Sequence, residues 1–407
     1  MRNVAIIGAG MIKFGKYPDR NIKDLVRESV QNALKDADLA SDKIEAAYVG
    51  SAVPGIMTGQ EQIKAQVTLS AMGIDSIPMV NVENACASSS SALNLAWTAV
   101  GAGIYDCVLV VGFEKLYDQD KLKSFLALGT AVDVQMVEKY LADFEARQKS
   151  NEKILSKGSG KSKSIFMDMY AYYTRMYMDQ YGLTQDHFVK LSFKSHKNGA
   201  LNPHAMYQKE MSMDEIIASG EIAYPLTRAM CSPVCDGAAA VIVCSQEKVG
   251  QFTNTPIWIA SSVIGSGKIS DEIGDTLTKR TGPKAFESAG IGPEDIDIIE
   301  VHDATSPSEI ITLIELGICP GDKAADWIDD GYLNIDGQKP SNTSGGLVTK
   351  GHPIGATGLG QIHEIVHQLR GTAGARQVKS PKVAMTHNGG GILGVDAAAM
   401  ALHILKK

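Results

Sequence analysis

Ile77-Pro78-Met79-Val80-Asn81-Val82 reads as a short strand, and Asn84-Ala85-Cys86-Ala87-Ser88-Ser89-Ser90-Ser91, close behind it, reads as a tight turn of small residues. Beyond the turn, Ala92, Leu93, Leu95, Ala96, Ala99 and Val100 recur at helical spacing. Strand, turn and helix together set Cys86 near a helix N-terminus. Unpaired N–H groups and the helix dipole favour a thiolate there. The small neighbours leave room for a substrate carbonyl. A free cysteine is equally at home as a small buried hydrophobe, so the turn alone does not separate the two readings.

Outward from this turn, strands and helices alternate. Asn21-Ile22-Lys23-Asp24 has the form of a helix start, and Ile22, Leu25, Val26, Val30, Ala33, Leu34 and Ala37 make one apolar stripe. Ile44 to Gly50 and Asp106 to Gly112 read as strands. Apolar strands separated by helices indicate a buried, mostly parallel sheet of the α/β class. The same grammar recurs late in the chain. Residues 37–49 and 289–301 match in their apolar, acidic and strand positions at a constant offset of 252. Gly282-Pro283 falls where the second copy's helix should already run; Pro283 in its first turn would leave that helix shorter or kinked. The repeat predicts two α/β halves, 1–118 with 228–249 and then 250–407, and an inserted loop domain, 119–227. In the insertion, Lys149 to Lys163 reads as a solvated loop, and 171–181 and 185–200 read as helices. Tyr170, Tyr172, Tyr173 and Tyr177 either line a substrate pocket or pack in a core or interface.

Composition narrows the classes. The 407 residues are 44% hydrophobic, enough for a large core in two or three domains, and the net charge of -7 offers no footprint for nucleic acid. No apolar run reaches membrane-span length, and the chain starts directly on a strand, Asn3 to Gly8, without a signal-peptide pattern. The cysteines, at 86, 107, 231, 235, 244 and 319, are too scattered for a disulfide framework; Cys231 and Cys235 have no second pair to complete a zinc site. A reducing cytoplasm and no metal are expected.

Two phosphate-binding motifs fail on spacing. After Gly8-Ala9-Gly10 the third glycine of a dinucleotide fingerprint should stand at 13, which is Lys13; a strand followed by a loop is the plainer reading. Gly160-Lys161-Ser162 would need a glycine at 155, which is Leu155.

Three later stretches set histidines where parallel strands should end. Ile298-Ile299-Glu300-Val301 runs into His302-Asp303-Ala304-Thr305. Thr343 to Gly358 is a glycine-rich loop with His352, leading into a helix. Lys382-Val383-Ala384-Met385 runs through Thr386 into His387-Asn388-Gly389-Gly390-Gly391, a strand ending in a glycine loop. Chemistry in α/β sheets collects beyond the carboxyl ends of strands. A cysteine and three histidines there fit a nucleophile, a base and oxyanion donors.

With these loops in hand, the chain resembles the thiolases along nearly its full length, closest to the sterol-carrier-protein-type and archaeal acetoacetyl-CoA branch. Asn84-Ala85-Cys86-Ala87-Ser88 matches the family's nucleophile loop, and Gly351-His352-Pro353-Ile354-Gly355-Ala356-Thr357-Gly358 matches its long G-H-P-x-G-A-T-G loop. His302-Asp303-Ala304-Thr305 stands where this branch has H-D-C-F. His387-Asn388-Gly389-Gly390-Gly391 stands where ordinary thiolases have C-x-G and this branch often has H-N-x-G. The resemblance implies a duplicated five-layer α-β-α-β-α fold with two mixed sheets, a homodimer or higher oligomer, and acyl transfer between CoA esters. It implies that Cys86 becomes acylated, that His352 takes its proton, and that His302 holds a thioester oxygen. The N–H groups of Cys86 and Gly389 would form a second oxyanion hole.

One departure stands out. The second, acid/base cysteine of thiolases is replaced here by His387 and Ala304, and no other cysteine falls in a recognisable site loop. His387, His302 or the CoA thiol would carry that proton, with His387 the expected choice. The substitution suggests a branched, aromatic or dicarboxylic substrate. The resemblance implies a small OB-fold, zinc-ribbon partner, as in the thiolase system that acts on benzoylsuccinyl-CoA. An aldolase-like lyase on CoA esters, or a CoA-ester-binding subunit without catalysis, are the alternative readings.

Overall fold

The computed structural model describes residues 1–139, 142, 146, 164–252, 255–269 and 274–407. The lysine-rich segment 149–163 lies outside the described residues. Eleven strands are present among them: β1 (Val4–Met11), β2 (Ala46–Gly50), β3 (Met79–Val82), β4 (Cys107–Glu114), β5 (Glu221–Ala223), β6 (Leu226–Thr227), β7 (Gly237–Ser245), β8 (Ile257–Ser266), β9 (Ile298–Glu300), β10 (Val383–Leu393) and β11 (Asp396–Lys406). One mixed set runs β3-β2-β4-β7-β1 and the other β8-β11-β10-β9; β5 and β6 form a separate hairpin. The two sets meet where Ala5 and Ile6 of β1 pair with Trp258 and Ile257 of β8, so nine strands are continuous.

Alternation along each strand builds the layers. On β4, Val108 and Val110 face a central core while Leu109 and Val111 face an outer one; on β10, Ala384 faces the centre and Met385 the outside. The helices Ser88–Gly101 and Thr357–Arg370 fill the centre through Leu93, Ala96, Leu359 and Ile362. The helix Ile22–Ala37 covers the outer face of the first set, and Leu277–Ala289 with Ser306–Glu315 covers that of the second. The result is the five-layer α/β arrangement. Each fully buried Leu or Ile in these cores stabilises it by about 1.5–3 kcal/mol.

The repeat is visible in the structure. Helices end at Ala37 and Ala289, single 3-10 turns follow at Ser41–Lys43 and Pro293–Asp295, and strands begin at Ala46 and Ile298, all at the same offset. Asn21 caps the first helix as expected: its side chain accepts from Lys23 N at 2.9 Å and Asp24 N at 3.2 Å, and Asp24 reaches back to Asn21 N. Pro283 is not in the first turn of the second copy's helix. It is inside Leu277–Ala289, which runs through it at 13 residues against 16 in the first copy; the carbonyl of Lys279 simply lacks its helical donor. The second set also lacks a full counterpart of β3. Residues 340–342 lie along β9 as a single parallel bridge, Ile299 to Ser341. Lys339 N turns back to the Tyr332 carbonyl, and Pro340 has no N–H to extend the ladder.

Gly8-Ala9-Gly10 lies wholly within buried β1 and not in a loop after it. A Cβ on Gly10 would stand 2.2 Å from Ala33 N, so this glycine lets the helix Ile22–Ala37 lie on the strand. The insertion's helices, Ile165–Tyr181 and Gln185–Ala200, share the outer core of the second set: Phe188 and Leu191 pack with Leu313 and Leu316. The buried ion pair Lys194–Glu309 ties them down, with Lys194 Nζ also donating to Ser341 O at 2.7 Å. No helix among the described residues is long and apolar enough to cross a membrane.

Candidate active site

Cys86 occupies a 3-10 turn, Ala85–Ala87, directly ahead of the helix Ser88–Gly101. Ala85 takes a left-handed backbone, φ 47°. That conformation costs a non-glycine residue about 1–2 kcal/mol. Local bonds hold it: Ala85 N donates to Glu83 Oε1 at 2.5 Å, and Ser88 Oγ donates to Ala85 O at 2.6 Å. The other serines each have a task. Ser89 Oγ accepts from Leu359 N at 3.2 Å, Ser90 Oγ donates to Asn388 Oδ1 at 2.9 Å, and Ser91 Oγ accepts from Asn84 Nδ2 at 2.8 Å. The run of serines therefore bolts the turn to the His352 loop's helix and to β10.

The sulfur of Cys86 and one nitrogen each from His302 and His352 lie within 4.8 Å of one another. The two rings meet edge to face, centroids 4.9 Å apart. Their tautomers are set from behind and are opposite. Thr357 Oγ1 gives its only proton to the Pro353 carbonyl at 3.2 Å, so at 2.7 Å it must accept from His352 Nδ1–H. That leaves His352 Nε2 with a lone pair. Asn388 Nδ2 donates to His302 Nδ1 at 3.0 Å, its amide being oriented by Ser90, so the proton of neutral His302 sits on Nε2. One ring offers a base and the other a donor. A metal would need lone pairs from both, so the trio suits proton chemistry better than ligation.

Burial pushes the Cys86 thiol up to about 12; backbone N–H groups of Gly391 and Cys86 pull the other way without compensating. The expected resting thiolate is therefore corrected to a neutral thiol, because Val53, Leu116 and Ile354 wall the turn with apolar surface. Burial likewise lowers His302 to about 4 and holds His352 well below the usual imidazole range, the neighbouring His302 adding to the latter. Both rings are neutral at pH 7.

His387 does not join this space. The glycine loop expected after Met385 is a continuous strand: β10 runs to Leu393, with His387 opposite Leu402 and Gly389 opposite Met400 on β11. Alternation then decides. Asn388 faces the centre, and His387 faces the outer layer, where Nε2 meets Thr278 Oγ1 at 3.1 Å and Nδ1 meets the backbone N of His302 at 3.5 Å. Burial lowers His387 to about 3.

A cavity of about 500 Å³ opens beside Cys86, His302 and His352, lined also by Phe125, Phe166 and Tyr170. Gly389, Gly390 and Gly391 form part of its wall. Gly390 lets β10 pass close to the nucleophile: a Cβ there would lie 2.2 Å from Asn84 O and 2.7 Å from Ala87 N. Ala304 lines the same cavity, and so does Cys231, bridged to Thr305 and dismissed on spacing alone in the sequence. A further cavity of about 160 Å³ lies behind, lined by His387, Thr278 and Glu315. Of the four tyrosines, Tyr170, Tyr173 and Tyr177 reach these cavities and Tyr172 is packed in the core. Sequence reasoning also missed Glu114. Its buried carboxylate accepts from Ala52 N, Val53 N and Gly355 N at 2.9, 3.2 and 3.0 Å, fastening the His352 loop; burial raises it to about 7.

Comparisons with known proteins give the family. Residues 4–247 match the family description "Thiolase, N-terminal domain", and 266–405 match "Thiolase C-terminal domain-like". The acetyl-CoA acetyltransferase of Methanothermobacter thermautotrophicus is 35% identical over 402 residues, covering 98% of this chain and 98% of its own. Human sterol carrier protein 2 is 34% identical over 413 residues, covering 98% of this chain and 71% of its own. Among solved structures, the Ltp2-ChsH2(DUF35) aldolase shares the fold at TM-score 0.76 and 24% identity, covering 99% of this chain and 97% of its own. The Acat5 thiolase of Ascaris suum in complex with coenzyme A shares it at 0.69 and 19%, covering 100% of each. The chain belongs to the thiolase family and is an enzyme of the acyltransferase class.

Proposed function

We propose that the chain cleaves or forms the C2–C3 bond of a 3-oxoacyl-CoA through an acyl-enzyme on Cys86. The observation that carries this is the trio of Cys86, His302 and His352 within 4.8 Å, with Thr357 Oγ1 behind one ring and Asn388 Nδ2 behind the other. In the cleavage direction His352 Nε2 takes the thiol proton as sulfur attacks C3. The tetrahedral oxyanion collapses, C2–C3 breaks, and the electron pair goes to C2 as an enolate. His302 Nε2–H donates to that thioester oxygen, and the N–H groups of Cys86 and Gly389 receive the C3 oxygen. Imidazolium His352 returns its proton to C2, which releases the shorter CoA ester. In the second half, His352 takes the proton of the incoming CoA thiol, that sulfur displaces Cys86, and the proton returns to Cys86. One histidine thus serves both halves. His387, facing the outer layer, positions His302 from behind and is not the second acid/base. The first half, 1–118 with 228–249, supplies the nucleophile, 250–407 the histidines, and 119–227 the roof of the cavity.

The size of the cavity and its aromatic lining support a bulky acyl group, as in an aromatic 3-oxoacyl-CoA such as benzoylsuccinyl-CoA. A homodimer is supported by β3, a sheet edge with Val80 and Asn81 exposed. A small OB-fold, zinc-ribbon partner is supported by exposed Leu122, Phe125, Leu126 and Val134, Phe125 also lining the cavity. Six unpaired cysteines fit a reducing, cytoplasmic setting. The test is intact-protein mass spectrometry after mixing with an aromatic 3-oxoacyl-CoA. The acyl mass should appear on the peptide holding Cys86 and vanish in Cys86→Ala. Turnover without that adduct would favour the aldolase-like reading, and neither adduct nor turnover would favour a binding subunit.

A further inference from the structure

His302 and His352 must face Cys86 together, yet they ride on separate loops. Each ring has its own partner behind it, Asn388 or Thr357. A charged bridge joins the loops two residues upstream of each ring. Glu300, the last residue of β9, and Lys350, the last of the short helix Gly346–Lys350, form a fully buried ion pair at 3.2 Å. Glu300 Oε1 also accepts from Ser344 N at 3.0 Å, and Oε2 from Ser344 Oγ at 2.5 Å, at the start of the His352 loop. Lys350 Nζ donates onward to the Gly360 carbonyl at 3.2 Å, on the helix that begins with Thr357. One carboxylate thus gathers the entry and the middle of the His352 loop, and one ammonium ties that loop to the helix holding its histidine.

Neither the strand nor stability asks for this pair. At the offset of 252 the first copy has Tyr48 in place of Glu300 and Gly50 in place of His302, and β2 keeps its ladder without a carboxylate. Burying two charges costs about as much as their attraction returns, so an apolar pair of similar volume would hold the loops at least as firmly. It would lack direction, which charge-assisted hydrogen bonds supply. We propose that Glu300 and Lys350 are a positioning pair that sets the spacing of His302 and His352 across Cys86. The inference rests on the reading of His352 as the base for Cys86. A displacement of about 1 Å between reacting groups costs about a hundredfold in rate.

The test is Glu300→Gln combined with Lys350→Met, since removing one member leaves the other charge buried alone. The new amide still pairs with Ser344, while the bond across to position 350 is gone. Leu347 N, which donates to Asp303 Oδ1 at 2.7 Å, still holds the two loops together. The readout is iodoacetamide labelling at about pH 7.5, resolved by peptide mass spectrometry, with thermal unfolding alongside. The double variant should melt within about 2 °C of wild type and label Cys86 about 10- to 100-fold more slowly. Cys231, half-buried in the same cavity, should label at its wild-type rate. Wild-type labelling of Cys86 in the folded double variant overturns the positioning pair. Equal slowing at Cys86 and Cys231 also overturns it, because the whole cavity would then have shifted. If that variant does not fold, Glu300→Met with Lys350→Met, an apolar pair, is read by the same two rates. Labelling needs no CoA ester, so absence of an acyl adduct on wild-type Cys86, with the labelling contrast intact, overturns the acyl-enzyme alone.

Discussion

Replacing Thr357 by valine tests whether the tautomer of His352 is what activates Cys86. The side chain is fully buried, and valine keeps its shape while removing Oγ1. The 2.7 Å bond to His352 Nδ1 is lost. A buried donor left without a partner costs about 1–3 kcal/mol. The ring escapes that cost by moving its proton to Nε2, which is the form that cannot accept from the thiol. The productive tautomer, and with it the rate of Cys86 acylation, should fall about 5- to 150-fold. Affinity for the CoA ester should change little, because Thr357 lies behind the ring. The assay is single-turnover acylation followed by intact mass, with thermal unfolding measured alongside. Thr357→Ser keeps the hydroxyl and should recover most of the rate. Wild-type acylation by a folded Thr357→Val protein would refute the argument that Thr357 sets the base.

Other outcomes follow from the same geometry. His387→Gln should slow each half-reaction less than about tenfold, below the usual worth of an acid/base group; a hundredfold loss in one half alone would restore His387 as a proton carrier. Gly390→Ala should destabilise the fold by about 1–3 kcal/mol and impair acylation further, because its Cβ meets the backbone of the Cys86 turn; unchanged melting and acylation would contradict the close approach. Acid should destabilise the protein between about pH 6.5 and 4. His302, His204 and His403 are lowered to about 4 by burial, so below pH 6.5 the unfolded chain takes up protons that the folded chain refuses. Glu114, raised to about 7 by burial, acts in the opposite sense, its folded-state proton adding stability that is lost as pH rises from about 4.5 to 7. Denaturant unfolding at stepped pH should therefore show a stronger acid loss in Glu114→Gln than in wild type.

The nucleophile turn, the helix cap at Asn21, the repeat at an offset of 252 and the His352 loop were all legible from local order. Each depends on contacts within a few residues or on a periodicity that the chain carries along its length. So did the family, because its signature loops are contiguous. Pairing partners and side-chain direction were not legible. Three glycines after His387 look like a loop until β11 is known to run beside them, residue for residue, from Lys406 back to Asp396. That pairing keeps β10 extended, and the two-residue period of a strand then sends Asn388 to the nucleophile and His387 away from it. The tautomers of His302 and His352 follow from Asn388 and Thr357, and Asn388 is 86 positions from the ring it orients. Cys231 reaches the cavity only because its backbone bridges to Thr305, 74 positions on. The sequence by itself determined which loops meet around Cys86. The tertiary structure decided which atoms of them face one another, since that depends on the strand register and helix packing that no local pattern encodes.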